Sequence, residues 1–149
     1  MVSRVIPVQA FDLVVFGGTG DLAKRKILPS LFRRFVAGQM PNDAFVIGVA
    51  RSELNTKSYQ DLVISALKEF EPELVASAEL EIFIKQIKYV QIDAQGDFGW
   101  SDLANKVRKN AIQAFYFSVS PSLFGQLAEK LHQYSIASQS SRIVLEKPF

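Results

Sequence analysis

Gly17-Gly18-Thr19-Gly20-Asp21-Leu22 follows an apolar run, Phe11–Phe16, and precedes a basic segment of helical character. Residues without side chains at the end of a buried strand let a ligand come close to the main chain. A helix beginning near Asp21 aims free N–H groups and a partial positive charge at the same point. A pyrophosphate suits such a turn, and Thr19 can add a hydroxyl donor. Asp21 suits capping of the helix through its carboxylate and does not suit gripping a phosphate. A P-loop also fails on spacing, because no Lys-Ser/Thr pair follows the required glycine. The spacing Gly17-x-x-Gly20-x-x-Ala23 is close to the small-residue pattern of dinucleotide folds. A tight strand-to-helix turn without a ligand is the plain alternative.

Arg51 and Ser52 stand after a second apolar run, Ala44–Ala50. The end of the second strand of a doubly wound sheet meets the adenosine ribose, where an acidic residue favours NAD by accepting from the 2′-hydroxyl. Here the first acidic residue, Glu53, comes only after Arg51 and Ser52. Arg51 could fork onto a 2′-phosphate and Ser52 could donate its hydroxyl. A charge-assisted bond of this kind contributes roughly 1.5–3 kcal/mol, enough to favour NADP.

Lys147 precedes Pro148, which biases it toward an extended backbone at a strand end. Its ammonium is then either a ligand for an anion or a solvated charge. His132, the one histidine, sits on an amphipathic segment beside Leu131 and reads as a solvated surface residue. Gly96-Asp97-Phe98-Gly99 copies a kinase triplet without the glycine loop, paired lysine or catalytic loop of a kinase. It reads as a turn, with Trp100 starting or packing beneath the next helix.

Buried strands and amphipathic helices must hold these residues. Strands are expected at Phe11–Gly18, Ala44–Ala50, Ile87–Asp93, within Ala111–Ser120 and at Arg142–Glu146. Helices are expected at Asp21–Ala37, Ser58–Phe70, Glu79–Lys88, Leu103–Asn110 and Ser122–Tyr134. Pro29 should kink or split the first of them, and Gly38 should close it. Strands separated by helices make βαβ units, so the expected fold is α/β: a Rossmann-type doubly wound parallel sheet with helices on both faces.

Composition narrows the function. The chain has 149 residues, 48% of them hydrophobic, which suits one domain with a substantial core. Seventeen Lys+Arg against 15 Asp+Glu leave a net charge of +2, no footprint for nucleic acid. The absence of cysteine removes disulfides and thiol chemistry. No apolar run approaches the ~18 residues of a membrane helix, and the N-terminal stretch lacks a signal-peptide core. A cytoplasmic protein with no membrane or nucleic-acid partner is the expectation.

Three stretches together resemble the coenzyme domain of the glucose-6-phosphate dehydrogenase family: GGTGDLAKRKILPSLF from Gly17, GVARSEL from Gly48 and RIVLEKPF from Arg142. FYFSVSPSLF, from Phe115, looks like that family's strand and loop beside the nicotinamide. The resemblance implies that Gly17, Gly18, Thr19, Gly20, Asp21 and Leu22 hold the pyrophosphate of NADP, and that Arg51, with Ser52, takes the 2′-phosphate. It implies that Asp93 and Ala94 line the adenosine side and that Pro121 lies near the nicotinamide. It further implies that Lys147 reaches both the coenzyme and the substrate, glucose 6-phosphate. Phe124 stands where some members have a tyrosine, and Ser120 stands where a second proline is familiar.

The family's second domain supplies a His–Asp pair as base, so residues 1–149 are expected to be an NADP-binding fragment without turnover of its own. The whole enzyme is expected to be a homo-oligomer. Two other readings use the same turn. A glucose–fructose type oxidoreductase shares a Rossmann unit and the Glu-Lys-Pro triplet but has a different glycine turn. A non-enzymatic NADP sensor would need no Lys147.

Overall fold

The computed structural model describes residues 10–41, 43–137 and 141–145. Five strands form one sheet: β1 (Phe11–Phe16), β2 (Ala44–Ala50), β3 (Ile87–Gln91), β4 (Ile112–Phe117) and β5 (Arg142–Leu145). Their order is β3-β2-β1-β4-β5 and every pairing is parallel. Val14 lies level with Ile47 on one side and Phe115 on the other. The chain winds outward through β2 and β3, returns across the sheet, and winds the other way from β4. The connections therefore diverge between β1 and β4, where ligands of such sheets sit.

Burial on both faces explains the near-continuous apolar strands. One face presents Val14, Phe16, Ile47, Val49, Val90, Phe115 and Phe117 to helices α4 (Trp100–Lys106) and α5 (Phe124–Gln133). The other presents Val15, Val46, Ile87 and Tyr89 to α1 (Leu28–Val36), α2 (Thr56–Phe70) and α3 (Glu79–Lys85). Trp100, Tyr59, Phe32, Phe83 and Phe115 are fully buried. Each such side chain stabilises the fold by roughly 1.5–3 kcal/mol through removal from water. Trp100 does start the helix after the Gly96–Gly99 turn, and its indole N–H donates to the Asp93 carbonyl at 3.1 Å.

Pro29 splits the expected first helix: a π-helical turn, Ala23–Ile27, gives way at Leu28 to α1, with Pro29 in its first turn and the Leu28 N–H reaching back to the Ala23 carbonyl. A proline, which has no N–H to give, is tolerated in that first turn. Two other expectations shift. The second helix starts before Ser58, because Asn55 caps it: the Asn55 side chain accepts from the Ser58 N–H at 2.8 Å and the Ser58 hydroxyl accepts from the Asn55 N–H at 3.1 Å. Helix α4 starts and stops earlier than Leu103–Asn110. Val107 turns extended, which brings Arg108 under the sheet. Gly38 closes α1 as expected, with Gln39 N–H donating to the Arg34 carbonyl at 2.9 Å.

Candidate functional site

The carboxyl ends of β1 and β2 are tied by main-chain bonds from Gly17 and Gly18 N–H to the Val49 carbonyl, at 2.8 and 3.1 Å. Gly17 has φ +84, and a Cβ on it would stand 2.1 Å from the Ser118 carbonyl oxygen. A Cβ on Gly18 would stand 2.9 Å from both the Gly48 Cα and the Tyr59 hydroxyl. Bare positions at these two glycines therefore let the protein's own main chain and the Tyr59 hydroxyl come close, and Gly17 also lines the cleft in front of the turn. Gly20 differs: within 4 Å its Cβ would meet only the Gly17 carbonyl, at 3.2 Å.

Gly20 also begins the helix, since its carbonyl accepts from Lys24 N–H at 3.2 Å. The N–H groups of Asp21, Leu22 and Ala23 have no main-chain acceptor among the described residues. They form the unpaired first turn that favours an anion. Asp21 does not cap this helix with its carboxylate as expected. That exposed carboxylate accepts instead from Arg25 Nε at 2.8 Å, one helical turn on.

A cleft of about 320 Å³ opens in front of the turn. It brings together Gly17, Thr19 and Gly20 with Arg51 and Ser52 at the end of β2. Its apolar walls are Phe16, Val49, Ala50, Ile92, Ala94, Val119, Leu123 and Leu127. The Thr19 and Ser52 hydroxyls lie 3.4 Å apart. The Arg51 side chain is exposed and has no carboxylate partner among the described residues. Beside the cleft lies a second recess, of about 330 Å³, which shares Arg51 and Ile92 with it and adds Gln91, Asp93 and Phe98.

The other expected residues divide. Ala94 faces the cleft, and Asp93 faces the adjoining recess, its carboxylate accepting from Gln95 N–H at 3.0 Å. The Leu22 side chain lies elsewhere, though its N–H belongs to the unpaired first turn: the side chain packs with the α1–α2 core and lines a recess with Leu13, Arg25 and Tyr116. Helical rotation explains this, because one residue after Asp21 the side chain points back over the sheet. Pro121 is exposed and opens a short 3₁₀ turn, Pro121–Leu123, flanked by the cleft residues Val119 and Leu123. Phe124 packs on Phe117, with centroids 5.6 Å apart, and is not a cleft wall. His132 is exposed near the end of α5. Lys147 and Pro148 lie outside the described residues.

Tyr59, Tyr89 and Gln91 were not singled out by the sequence, yet they hold the loops of this site. Tyr59 donates its hydroxyl to the Gly18 carbonyl at 2.9 Å, and Tyr89 donates to the carbonyls of Ser52 and Ala50, at 2.6 and 3.1 Å. Gln91 Nε2 donates to the Arg51 carbonyl at 3.2 Å. A sequence signal existed for Tyr59. Gly48 stands mid-strand, and a Cβ there would be 2.3 Å from the tyrosine ring. A glycine inside a strand marks such a close approach.

Among the described residues no helix is long and apolar enough to cross a membrane, and no acidic or histidine cluster could hold a metal ion. The chemistry on offer is anion binding by main chain and guanidinium above an apolar floor. Residues 14–149 match the family model described as glucose-6-phosphate dehydrogenase, NAD binding domain. The chain is 40% identical over 151 residues to glucose-6-phosphate 1-dehydrogenase of Rhizobium meliloti, a match covering 99% of this chain and 31% of that protein. It is 38% identical to the enzyme of Gluconobacter oxydans, covering 95% of this chain and 30% of the relative.

Among solved structures, glucose-6-phosphate 1-dehydrogenase from Mycobacterium avium superposes with a TM-score of 0.84 at 26% identity, over 95% of this chain and 30% of that one. A glucose-6-phosphate dehydrogenase in complex with glucose 6-phosphate gives 0.81 at 26% identity, over 97% and 32%. The chain thus spans a little under a third of the length of these relatives.

Proposed function

The chain belongs to the glucose-6-phosphate dehydrogenase family, and from that premise we propose that it is the NADP-binding portion of such an enzyme. The reaction is oxidation of glucose 6-phosphate to 6-phosphogluconolactone, the entry into the pentose phosphate pathway. The bound coenzyme would accept the hydride that leaves C1 of the sugar. The observation that carries the reading is an exposed Arg51, without a carboxylate partner among the described residues, lining the same cleft as the open Gly20 turn.

The residues present fit a dinucleotide with a 2′-phosphate. Gly20 and the unpaired N–H groups of Asp21 to Ala23 seat the pyrophosphate, with Thr19 as a further donor. Arg51 and Ser52 take the 2′-phosphate, while Asp93 and Ala94 bound the adenosine. Val119, Leu123 and Leu127 give the nicotinamide end a dry wall, and Pro121 fixes the turn that carries Leu123. Gly17 and Gly18 act through shape, by letting the turn fold against β2 and β4. Lys147 is placed, on the family motif, between coenzyme and sugar phosphate.

Removing the C1 hydroxyl proton needs a base. His132, exposed at the end of α5, is far from that role. We place the base and the sugar pocket outside residues 1–149, in the part of the relatives that this chain does not cover. The whole enzyme is proposed to be a cytoplasmic homo-oligomer. Titration of the chain with NADP and with NAD tests the coenzyme assignment: NADP should bind at least about tenfold more tightly, as roughly 1.5–3 kcal/mol from Arg51 requires. Equal binding of the two would overturn it. NADPH formation from glucose 6-phosphate by these residues alone would overturn the division of labour.

A further inference from the structure

Two tyrosines stand behind the cleft, and neither lines it. Tyr59 comes from α2 and is fully buried against Gly48. Tyr89 comes from β3. Their rings stack at 4.9 Å between centroids, tilted by 32°. Each hydroxyl points to a different loop of the site. Tyr59 holds the glycine turn through the Gly18 carbonyl, whereas Tyr89 shares its single proton between the carbonyls of Ser52 and Ala50, on either side of Arg51. Main chain of the glycine turn, Tyr59, Tyr89 and main chain of the Arg51 loop thus form one continuous strut. Two shorter ties run beside it: the Gly17 and Gly18 N–H groups bond to the Val49 carbonyl at the end of β2, at 2.8 and 3.1 Å, and at the front of the cleft the Thr19 and Ser52 hydroxyls lie 3.4 Å apart.

We propose that the stacked Tyr59–Tyr89 pair is a spacer that fixes the distance between the phosphate seat and the Arg51 guanidinium, and that the Tyr89 hydroxyl thereby sets the preference for a 2′-phosphorylated dinucleotide. The proposal rests on the coenzyme reading above. Both tyrosines are positioning residues, since neither reaches the cleft. Their chemistry suits a permanent tether. Burial pushes both phenols above their ordinary value, the more strongly for Tyr59, so each remains a protonated donor. A loop held at three successive carbonyls, 50 to 52, presents Arg51 with its main chain already ordered. A ligand that uses Arg51 gains from that order, and one that lacks a 2′-phosphate gains little.

The test compares the parent chain with Tyr89→Phe and Tyr59→Phe in two measurements. Kd is determined for NADP and for NAD, and amide hydrogen exchange is followed at residues 50–53 without ligand. Tyr89→Phe keeps the ring and removes the tether. It should raise the Kd for NADP by about 3- to 10-fold, the worth of one hydrogen bond, and the Kd for NAD by less than about twofold. Exchange at Arg51 and Ser52 should quicken. Tyr59→Phe frees the turn that serves the pyrophosphate common to both coenzymes, so it should weaken both in parallel.

Should the parent prefer NADP while Tyr89→Phe keeps the same NADP-to-NAD ratio, the spacer role falls and the coenzyme reading stands. Should the parent show no preference, the coenzyme reading and the specificity role fall together. In either case unchanged exchange at residues 50–53 in Tyr89→Phe removes the tether itself. That measurement also decides the matter if Tyr59→Phe does not fold.

Discussion

At the amino end of the sheet the Asp12 carboxylate is fully buried and takes three bonds from Arg108: main-chain N–H at 2.6 Å, Nε at 2.9 Å and Nη2 at 2.8 Å. At the carboxyl end Arg51 is exposed and meets no carboxylate among the described residues. Both ends use an arginine just outside a strand, to opposite purposes. Arg108 also pairs with Asp43, donates to the Phe11 carbonyl at 3.1 Å and lies over the Phe45 ring at 4.3 Å. Its bond to Asp12, and then its pairing with Asp43, hold the guanidinium above its ordinary value against the effect of burial. A buried charge survives only when its partners satisfy it, and then it belongs to the fold. An arginine left without such partners stays available to a ligand.

The comparison breaks most readily at Asp12. Asp12→Ala leaves the Arg108 guanidinium and main-chain N–H without their principal acceptor, and should cost about 3–5 kcal/mol. Urea denaturation followed by circular dichroism measures it. A loss under about 1 kcal/mol would mean that the amino end is no more structural than the surface.

The two kinds of glycine at the other end give the next test. Gly17→Ala forces a Cβ to 2.1 Å from the Ser118 carbonyl oxygen at φ +84. It should destabilise the chain by roughly 1–3 kcal/mol through overpacking, with strain added. Gly20→Ala meets only a 3.2 Å contact. It should leave the melting temperature nearly unchanged and still weaken NADP binding. Equal stability losses at the two positions would erase the distinction between a glycine that serves packing and one that serves the ligand.

Arg51→Ala is the counterpart of the Asp12 variant. Stability should move by no more than about 0.5 kcal/mol, as for an ordinary surface residue. NADP affinity should fall by about 10- to 100-fold, while NAD affinity holds. Calorimetric titration reads both. A fall shared equally by the two coenzymes would move Arg51 from the 2′-phosphate to the pyrophosphate.

The same contrast explains what could be read from the sequence. The β2 strand, the glycine turn and Arg51 carry local signatures: apolar runs, bare positions, and an arginine where an acid is usual. Each depends on neighbours within a few residues. The pairing of Asp12 with Arg108 spans 96 positions, and nothing local in Phe11-Asp12-Leu13 announces it. Tyr59 and Tyr89 failed to stand out for the same reason, since each reads as one more aromatic on an apolar face until the sheet brings both beneath the loops. Leu22 serves two ends: its side chain packs in the core, while its N–H belongs to the unpaired first turn. Adjacent helical residues point about 100° apart, so a motif can mark the right turn and still include a core residue.

The smallest expected effect lies on the rim of the carboxyl end. Asp97 accepts from Lys130 Nζ at 2.5 Å and from the Tyr134 hydroxyl at 3.1 Å, which ties the loop after β3 to α5. The Tyr134 ring stacks on Trp100 at 6.2 Å, so this tie rests on a buried anchor. The bond from Lys130, then that from Tyr134, holds the Asp97 carboxyl below its ordinary value of 3.8. A carboxyl lowered in the folded state contributes stability that is present above its unfolded value and lost as pH falls through the folded one. Asp97→Asn should therefore lower the melting temperature slightly at pH 7, and the gap from the parent should close below about pH 4. Because the pair is exposed, salt should narrow the gap as well. A gap that stayed constant from pH 7 to pH 3, or that ignored salt, would assign the effect to loop packing and not to charge. The carboxyl end would then hold its shape, as the tyrosine strut does, by neutral contacts alone.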